Sequence, residues 1–87
     1  MKYEMAFNEL TYTGFKVLIY CLKTKDKSEW THIGYGRWLG LEYKAASARW
    51  KDGTQDLLEK GYMNWSEGKL TWGKKVLEFL EKEEKKS

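Results

Sequence analysis

The sequence predicts a small α+β domain that is mostly helical, with one short β-hairpin before its last helix. Apolar residues recur at helical spacing in four segments, and one pair of short strand-like segments flanks a glycine. The chain contains no proline and no low-complexity linker, and its 87 residues suffice for one hydrophobic core but not for two. We therefore expect a single domain over residues 1–87, with an N-terminal arm at 1–9, a core and hairpin at 10–72 and a C-terminal helix at 73–87.

The composition argues against several classes of protein. No stretch reaches the roughly 18 consecutive apolar residues of a membrane span, and the N-terminal residues lack the basic flank and apolar centre of a signal peptide. We therefore expect a cytoplasmic protein without a membrane partner. Cys21 and His32 are the only cysteine and the only histidine, so an internal disulfide is excluded and a zinc or haem site is disfavoured. We expect no cofactor, no metal and no small-molecule ligand.

The first helix is predicted to begin after Thr11 or Thr13, because a threonine hydroxyl accepts from the free amides of an opening helical turn. Before it, residues 2–8 alternate between large and polar side chains, which suits a short extended arm. The helix is expected to end near Lys25. Its apolar residues at helical spacing are Phe15, Leu18, Ile19 and Leu22.

A charged, turn-like run at residues 23–29 separates the first helix from the second. Trp30 and Thr31 then form a possible one-rung strand. Thr31 is also the predicted cap of a second helix that ends at Leu39. Gly40 follows it, and a glycine in the left-handed conformation commonly ends a helix.

The third helix is predicted over residues 42–60, with Gly61 as its stop. Gly53 lies inside it and costs about 1 kcal/mol relative to alanine, so it either admits a closely packed neighbour or marks a bend. The helical period separates two faces. The apolar stripe is Ala46, Trp50, Gly53 and Leu57 with Leu58 at its border, and the polar face is Lys44, Ala48, Lys51 and Gln55.

A hairpin and a final helix complete the predicted fold. Residues 62–65 and 69–72 flank a loop at 66–68, in which Gly68 supplies the positive φ of a tight turn. The last helix begins at about Gly73 and ends in a charged, solvated tail. Its apolar residues are Val76, Leu77, Phe79 and Leu80.

Three motifs accompany these elements. The first motif surrounds the turn between the second and third helices. It contains, in order, a capping hydroxyl, two positions with ring side chains, a small residue and a leucine-glycine-leucine turn. Its residues are Thr31, His32, Tyr35, Gly36, Leu39, Gly40 and Leu41. The third helix runs into LLEKGYM at 57–63, and LT at 70–71 precedes EFL at 78–80. In this order the motifs resemble the winged helix-turn-helix superfamily, and the last pair resembles MarR-like regulators. At the position of His32, members of this superfamily usually carry isoleucine or leucine. A small rotation of the second helix would let Ile33 fill that position instead.

The resemblance implies that the third helix enters the major groove of double-stranded DNA, with its N-terminal half at the base edges. The net charge of +3 is mild, but residues 37–51 hold four bases and one acid, whereas 52–60 hold three acids and one base. A solvated amphipathic face is the alternative interpretation of this helix. The predicted DNA contacts are Tyr43, Lys44, Ser47, Ala48, Arg49 and Lys51 on the third helix, Arg37 on the second and Lys69 in the hairpin.

Two further interpretations concern partners. The apolar residues of the last helix (Val76, Leu77, Phe79 and Leu80) predict a homodimer contact, and a two-fold dimer places two recognition helices about 34 Å apart. Core packing is favoured over base stacking for the tryptophans, and Cys21 is expected to be a buried apolar residue. Core packing and base stacking are the two interpretations open for Trp30, Trp38, Trp65 and Trp72.

The predicted function is sequence-specific binding of double-stranded DNA by a small transcriptional regulator. The alternatives are a replication or partition factor of the phage or plasmid type, and a winged-helix module that binds proteins. An enzyme is disfavoured because the sequence offers no second histidine, no glycine-rich phosphate loop and no nucleophile with an orienting pair.

Overall fold

The computed structural model describes residues 9–86, with side chains described for 9–82. Within this part the chain is mostly helical and carries one two-stranded antiparallel sheet, as predicted. The predicted arm at 2–8 lies outside the described residues. The elements are α1 (Tyr12–Lys23), a 3₁₀ helix (Lys27–Glu29), α2 (His32–Leu39), α3 (Tyr43–Glu59), β1 (Met63–Ser66), β2 (Lys69–Trp72) and α4 (Lys74–Lys86).

Helix α1 begins where the sequence predicts and ends earlier. Thr11 is extended, and its hydroxyl accepts from the amide of Gly14 at 3.0 Å. The helix ends at Lys23 because Thr24 is extended, with φ −103° and ψ 98°, and the carbonyl of Thr24 accepts from the indole N–H of Trp30 at 2.9 Å. The amide of Ser28, which would continue the helical pattern to that carbonyl, donates to the Asp26 carboxylate at 3.0 Å.

The predicted strand at Trp30 and Thr31 is wrong. The amide of Trp30 donates to the carbonyl of Lys27 at 3.1 Å, and that of Thr31 donates to the carbonyl of Glu29 at 2.8 Å. Both amides are therefore used within the local turn, and in residues 9–86 the sheet pairs β1 with β2 alone. Thr31 still acts as a helix cap, since its hydroxyl accepts from the amide of Gly34 at 3.1 Å.

Helix α2 ends at the predicted glycine and lies close to α3. Gly40 has φ 69° and ψ 33°, the left-handed conformation, and the amide of Leu41 donates to the carbonyl of Gly36 at 2.8 Å. A Cβ placed on Gly36 would lie 2.6 Å from the Cβ of Ala46 on α3. Only a hydrogen side chain at residue 36 therefore allows this crossing.

The crossing of α1 and α3 is equally close and depends on a glycine in each helix. A Cβ on Gly53 would lie 2.3 Å from Cγ2 of Val17, and one on Gly14 would lie 2.3 Å from Oδ2 of Asp56. Of the two predicted roles for Gly53, admission of a packed neighbour is confirmed. Helix α1 is that neighbour.

A carboxylate joins the ends of these two helices. Asp56, which is 9% exposed, accepts from the amide and the hydroxyl of Thr11 at 2.9 and 3.0 Å, and its Oδ1 lies 2.9 Å from the ammonium of Lys60. Burial acts to raise the pKa of Asp56, but the hydrogen bonds from Lys60 and Thr11 outweigh it and lower the pKa below its ordinary value. The sequence shows this acid only as one of three in residues 52–60, whereas the structure makes it part of the fold.

The core lies between α1, α2, α3 and the sheet, and α4 closes it. Its fully buried side chains include Tyr35, Leu57 and Met63, and Val76 brings α4 into the same cluster. Aromatic rings fill much of the space, with Tyr35 5.6 Å from both Tyr20 and Trp50 by ring centroid. Residues 9–86 include no helix long and apolar enough to cross a membrane.

The hairpin turns in two residues. Glu67 and Gly68 have φ 53° and 76°, which defines a type I′ turn, and Ser66 pairs with Lys69. Ser66 is therefore the last residue of β1 and not, as predicted, part of the loop. The hairpin is accordingly short, with four residues in each strand.

Replacing Asp56 with asparagine should lower the free energy of unfolding at pH 7 by about 1.5–3 kcal/mol, since it removes charged hydrogen bonds from a buried site. Because folding lowers the pKa of this carboxyl, its contribution is complete above the pKa of an unfolded aspartate and disappears as the pH falls through the lower folded value. Urea unfolding at several pH values should therefore show less acid sensitivity for Asp56→Asn than for the parent chain. The matched control is Asp52→Asn at an exposed position of the same helix, and equal losses in both variants would contradict the assignment.

Candidate nucleic-acid interface

Helix α3 presents a small basic face to solvent. Lys44, Ala48 and Lys51 are exposed, and the helical period places them within about 60° of one another. Ala46, Gly53 and Leu57, on the opposite side, are buried. We call Lys44, Ala48 and Lys51, together with Tyr43 and Ser47, the α3 face.

Tyr43 and Ser47 lie at the edge of the α3 face that adjoins α2. The ring of Tyr43 is 68% exposed and stands edge-on to the ring of His32, with their centroids 5.0 Å apart. Ser47 is half-buried beside them. The N-terminal end of α2 therefore borders the α3 face, and a shallow pocket of about 270 Å³ between the two helices is lined by His32, Ile33, Gly36, Arg37, Leu41, Tyr43 and Ala46.

His32 and not Ile33 occupies the inward position at the start of α2. His32 is half-buried, and its Nε2 has no hydrogen-bond partner among the described residues, whereas Ile33 is exposed. The predicted exchange of roles is wrong, because the hydroxyl cap at Thr31 fixes the helix and no rotation brings Ile33 inward. Ile33 therefore adds an exposed aliphatic side chain beside Tyr43.

The three other predicted contacts lie at separate places. Arg49 is exposed and lies about 140° around α3 from Lys44, on the side that faces Tyr12 and Lys16 of α1, so it stands apart from the α3 face. The guanidinium of Arg37 lies 3.8 Å from the carboxylate of Glu29, and both side chains are exposed, which makes this ion pair weak. Lys69 is exposed at the start of β2.

Acidic residues bound the α3 face at its C-terminal end. Asp52 and Glu59 are exposed, and Glu59 accepts from the amide of Gln55 at 3.2 Å. Asp56 contributes nothing to this surface because it is buried against α1. The basic residues and the remaining acids thus divide the exposed side of α3 along its length.

A second basic and aromatic surface on α1 and α2 was not predicted. The ammonium of Lys16 lies 5.7 Å from the ring centroids of both Tyr12 and Trp38, and that of Lys23 lies 6.0 Å from Trp38. Tyr12, Lys16 and Lys23 are four and seven residues apart, a spacing that places them on one side of α1. This spacing is the signal that the sequence offers for the surface.

The tryptophans divide between core and surface. Trp30 is 8% exposed and packs edge-on against the half-buried Trp72, with ring centroids 4.9 Å apart. Trp50 is half-buried, and Trp38 lies at the surface against Tyr20. Core packing therefore describes Trp30 and Trp72 but not Trp65, which is 61% exposed on β1.

The apolar side of α4 belongs mostly to the chain's own core. Val76 is fully buried, and Phe79 and Leu80 are half-buried against the same cluster. Leu77 is 51% exposed. Of the four residues predicted to contact a second copy, Leu77 alone is largely accessible. The prediction for Val76 is wrong, because its side chain fills the core.

Cys21 is a buried residue of α1, as predicted. Burial raises the pKa of its thiol to about 12, since the thiolate would lose its hydration. The thiol is consequently protonated at neutral pH.

The folded chain should react with a thiol-specific disulfide reagent at pH 8 far more slowly than the urea-unfolded chain. The pKa rises from 9.0 to about 12, so the thiolate fraction falls on the order of a thousandfold. Reaction is followed by the absorbance of the released thiol, with the unfolded chain as the reference. Equal rates in the two states would show that the side chain is accessible and ionised like an ordinary thiol.

The structure thus brings five of the predicted residues to one side of α3 and its border with α2. The lysine ammonium groups and the hydroxyls of Tyr43 and Ser47 are groups that donate hydrogen bonds to phosphates and base edges. Comparison of the chain with protein-family models, curated proteins and solved structures finds no match.

Proposed function

We propose that the chain is a winged helix-turn-helix domain that binds double-stranded DNA through the α3 face. The observation that carries the proposal is the exposure of Lys44, Ala48 and Lys51 on a helix whose other side is fully packed. Their side chains have no part in the core, and the capped α2 lies across α3 at the Gly36 contact. The order of three helices, a hairpin and a further helix supports the same proposal.

The side chains of the α3 face suit the major groove of B-DNA. Ala48 is small, so the helix axis can approach the bases, and its methyl can contact a thymine methyl. Lys44 and Lys51 flank it and supply positive charge for phosphates or guanine acceptors. Asp52 and Glu59 repel phosphates, so the N-terminal half of α3 enters the groove and the C-terminal half leaves it.

The hairpin would serve as a short wing. Lys69 is the only basic residue from Met63 to Trp72, and the two-residue turn brings no further side chains toward DNA. Of the next lysines along the chain, Lys75 is held by the carboxylate of Glu9 at 3.0 Å. A single phosphate contact from Lys69 therefore describes the wing better than insertion into the minor groove.

The biological role proposed is that of a small transcriptional regulator acting as a homodimer. A replication or partition factor would use the same contacts, and a protein-binding module would not need them. Sequencing the DNA fragments that co-purify with the protein distinguishes these roles. Operator-like sites support the regulator, origin-like sites support the replication factor, and the absence of enriched DNA supports the protein-binding module.

Replacing both Lys44 and Lys51 with alanine should weaken duplex binding and reduce its salt dependence. Each lost phosphate contact lowers the slope of log K against log salt by about 0.9, so the double variant should lose about two units. Fluorescence anisotropy of a labelled duplex over a salt series measures both quantities. The charge-matched control, Lys25→Ala with Lys82→Ala, removes two exposed lysines away from α3.

The control should retain most of the affinity and most of the slope. Equal losses in the two double variants would show that net charge and not the α3 face binds the duplex. Unchanged binding in the Lys44 and Lys51 variant would place the DNA interface elsewhere.

The proposed dimer is best tested at Leu77, because truncation of α4 would also remove Val76 from the core. Leu77→Glu places a charge on an exposed position, so the fold should persist while a dimer that uses α4 dissociates. Sedimentation equilibrium should show half the mass of the parent. Ile33→Glu is the control at another exposed aliphatic residue; a parent that is already monomeric, or an unchanged mass, would rule out this interface.

A further inference from the structure

A groove between the 3₁₀ helix, α3 and the hairpin is lined by three tryptophans from three different elements. Trp30 follows the 3₁₀ helix, Trp50 lies on α3 and Trp65 lies on β1. The groove is open to solvent and has a volume of about 550 Å³. A space of this size accommodates one small organic molecule or one nucleotide unit.

The floor of the groove is held rigidly. The indole N–H of Trp30 donates to the carbonyl of Thr24 at 2.9 Å, and its ring stands against Trp72. Trp50 is fixed by the ring of Tyr35, 5.6 Å away. A flat ligand would therefore meet aromatic surfaces whose positions are already set, and little side-chain order would be lost on binding.

Trp65 forms the accessible wall of the groove. Its side chain is 61% exposed, so a large part of an indole is left in water. Exposed apolar side chains that occur singly are common at protein surfaces, but this one faces a groove that two further tryptophans line. Coverage of Trp65 by a stacked aromatic ring would remove this apolar surface from water.

The charged side chains that line the groove are basic. Among the described residues these are Lys27 and Lys69, and no acid is in the lining, although the Asp26 carboxylate accepts from the hydroxyl of Ser28, a lining residue, at 2.7 Å. The ammonium of Lys27 lies 5.5 Å from the ring centroid of Trp30, which puts a cation beside the aromatic floor. The groove thus combines flat apolar surfaces with two cations, and a nucleotide combines a flat base with a phosphate.

We propose that this tryptophan groove binds a single nucleotide unit, with the base stacked on Trp65 and the phosphate near Lys27 or Lys69. Base stacking on aromatic side chains beside basic residues is the usual physical basis for holding an unpaired base. The same chemistry is offered by a free nucleotide and by an unpaired nucleotide of single-stranded DNA. An aliphatic ligand would leave both lysines unused, and an acidic peptide would leave Trp65 uncovered.

The groove and the α3 face are separate sites. Trp50 lies with hairpin residues in the groove lining, about two helical turns along α3 from Tyr43. None of the α3 face residues lines the groove. Nucleotide binding in the groove therefore needs no residue of the α3 face, although Lys69, the proposed contact of the wing with DNA, also lines the groove.

The experiment follows the tryptophan indole N–H resonances of ¹⁵N-labelled protein during titration with two probes. The probes are thymidine monophosphate and a ten-nucleotide oligothymidine. We expect the Trp65, Trp50 and Trp30 resonances to shift and Trp38 to remain unchanged. A response to both probes identifies free nucleotide as a sufficient ligand, and a response to the oligonucleotide alone identifies the unpaired strand; either result supports the proposal.

Trp65→Ala should weaken binding of the responding probe at least about fivefold, since it removes one stacking surface. Tyr12→Ala, which removes a 72% exposed aromatic ring outside the groove, should bind as the parent does. Replacing Lys27 and Lys69 with alanine should also weaken binding without touching the core, because both side chains are exposed.

Two outcomes overturn the proposal. The first is that the three groove resonances stay unshifted with both probes, and the second is that Trp65→Ala binds the responding probe as tightly as the parent does. Failure here is distinguishable from failure of the duplex proposal, because the Lys44 and Lys51 double variant should bind the nucleotide probes normally while losing the duplex.

Discussion

The close crossing of α1 and α3 sets the position of every other element. Gly14 and Gly53 let the two backbones approach, and Asp56 ties the end of α3 to the start of α1 through the amide and hydroxyl of Thr11. A glycine inside a helix is unfavourable by about 1 kcal/mol relative to alanine, so this contact must return more than that in packing. The crossing directs Ala46, Gly53 and Leu57 inward, and the α3 face is exposed as a consequence.

The glycines of α2 extend the same arrangement. A Cβ on Gly36 would meet Ala46, and a Cβ on Gly34 would lie 2.3 Å from the hydroxyl oxygen of Tyr20. Helix α2 is thus pressed against both of its neighbours, although it is only eight residues long. Because a helix of this length is not stable alone, its orientation depends on these contacts. The border between His32 and Tyr43, at the edge of the α3 face, follows from that orientation.

The sequence predicted those features that depend on neighbours in the chain. The caps at Thr11 and Thr31 and the stop at Gly40 are local, and the structure has all three. The role of Asp56 is not local, because its partner Thr11 is 45 residues away. The sequence shows Asp56 only as one of three acids in residues 52–60, and the crossing of α1 shows it to be buried. The exposed α3 face and the direction of Arg49 both follow from the helical period, whereas the neighbour that Arg49 faces depends on where α1 lies.

The same limit explains why the tryptophan groove was hidden in the sequence. Its walls come from three elements that are distant along the chain, so no spacing rule joins Trp30, Trp50 and Trp65. The core already uses Trp30 and Trp72 as a packed pair, and the hairpin register places Trp65 opposite Leu70 at the surface. Alternation along β1 sends Met63 and Trp65 to the same side of the sheet, yet Met63 is fully buried and Trp65 is mostly exposed. The core therefore ends beneath Trp65, and the space beyond that end is the groove in which we place a nucleotide.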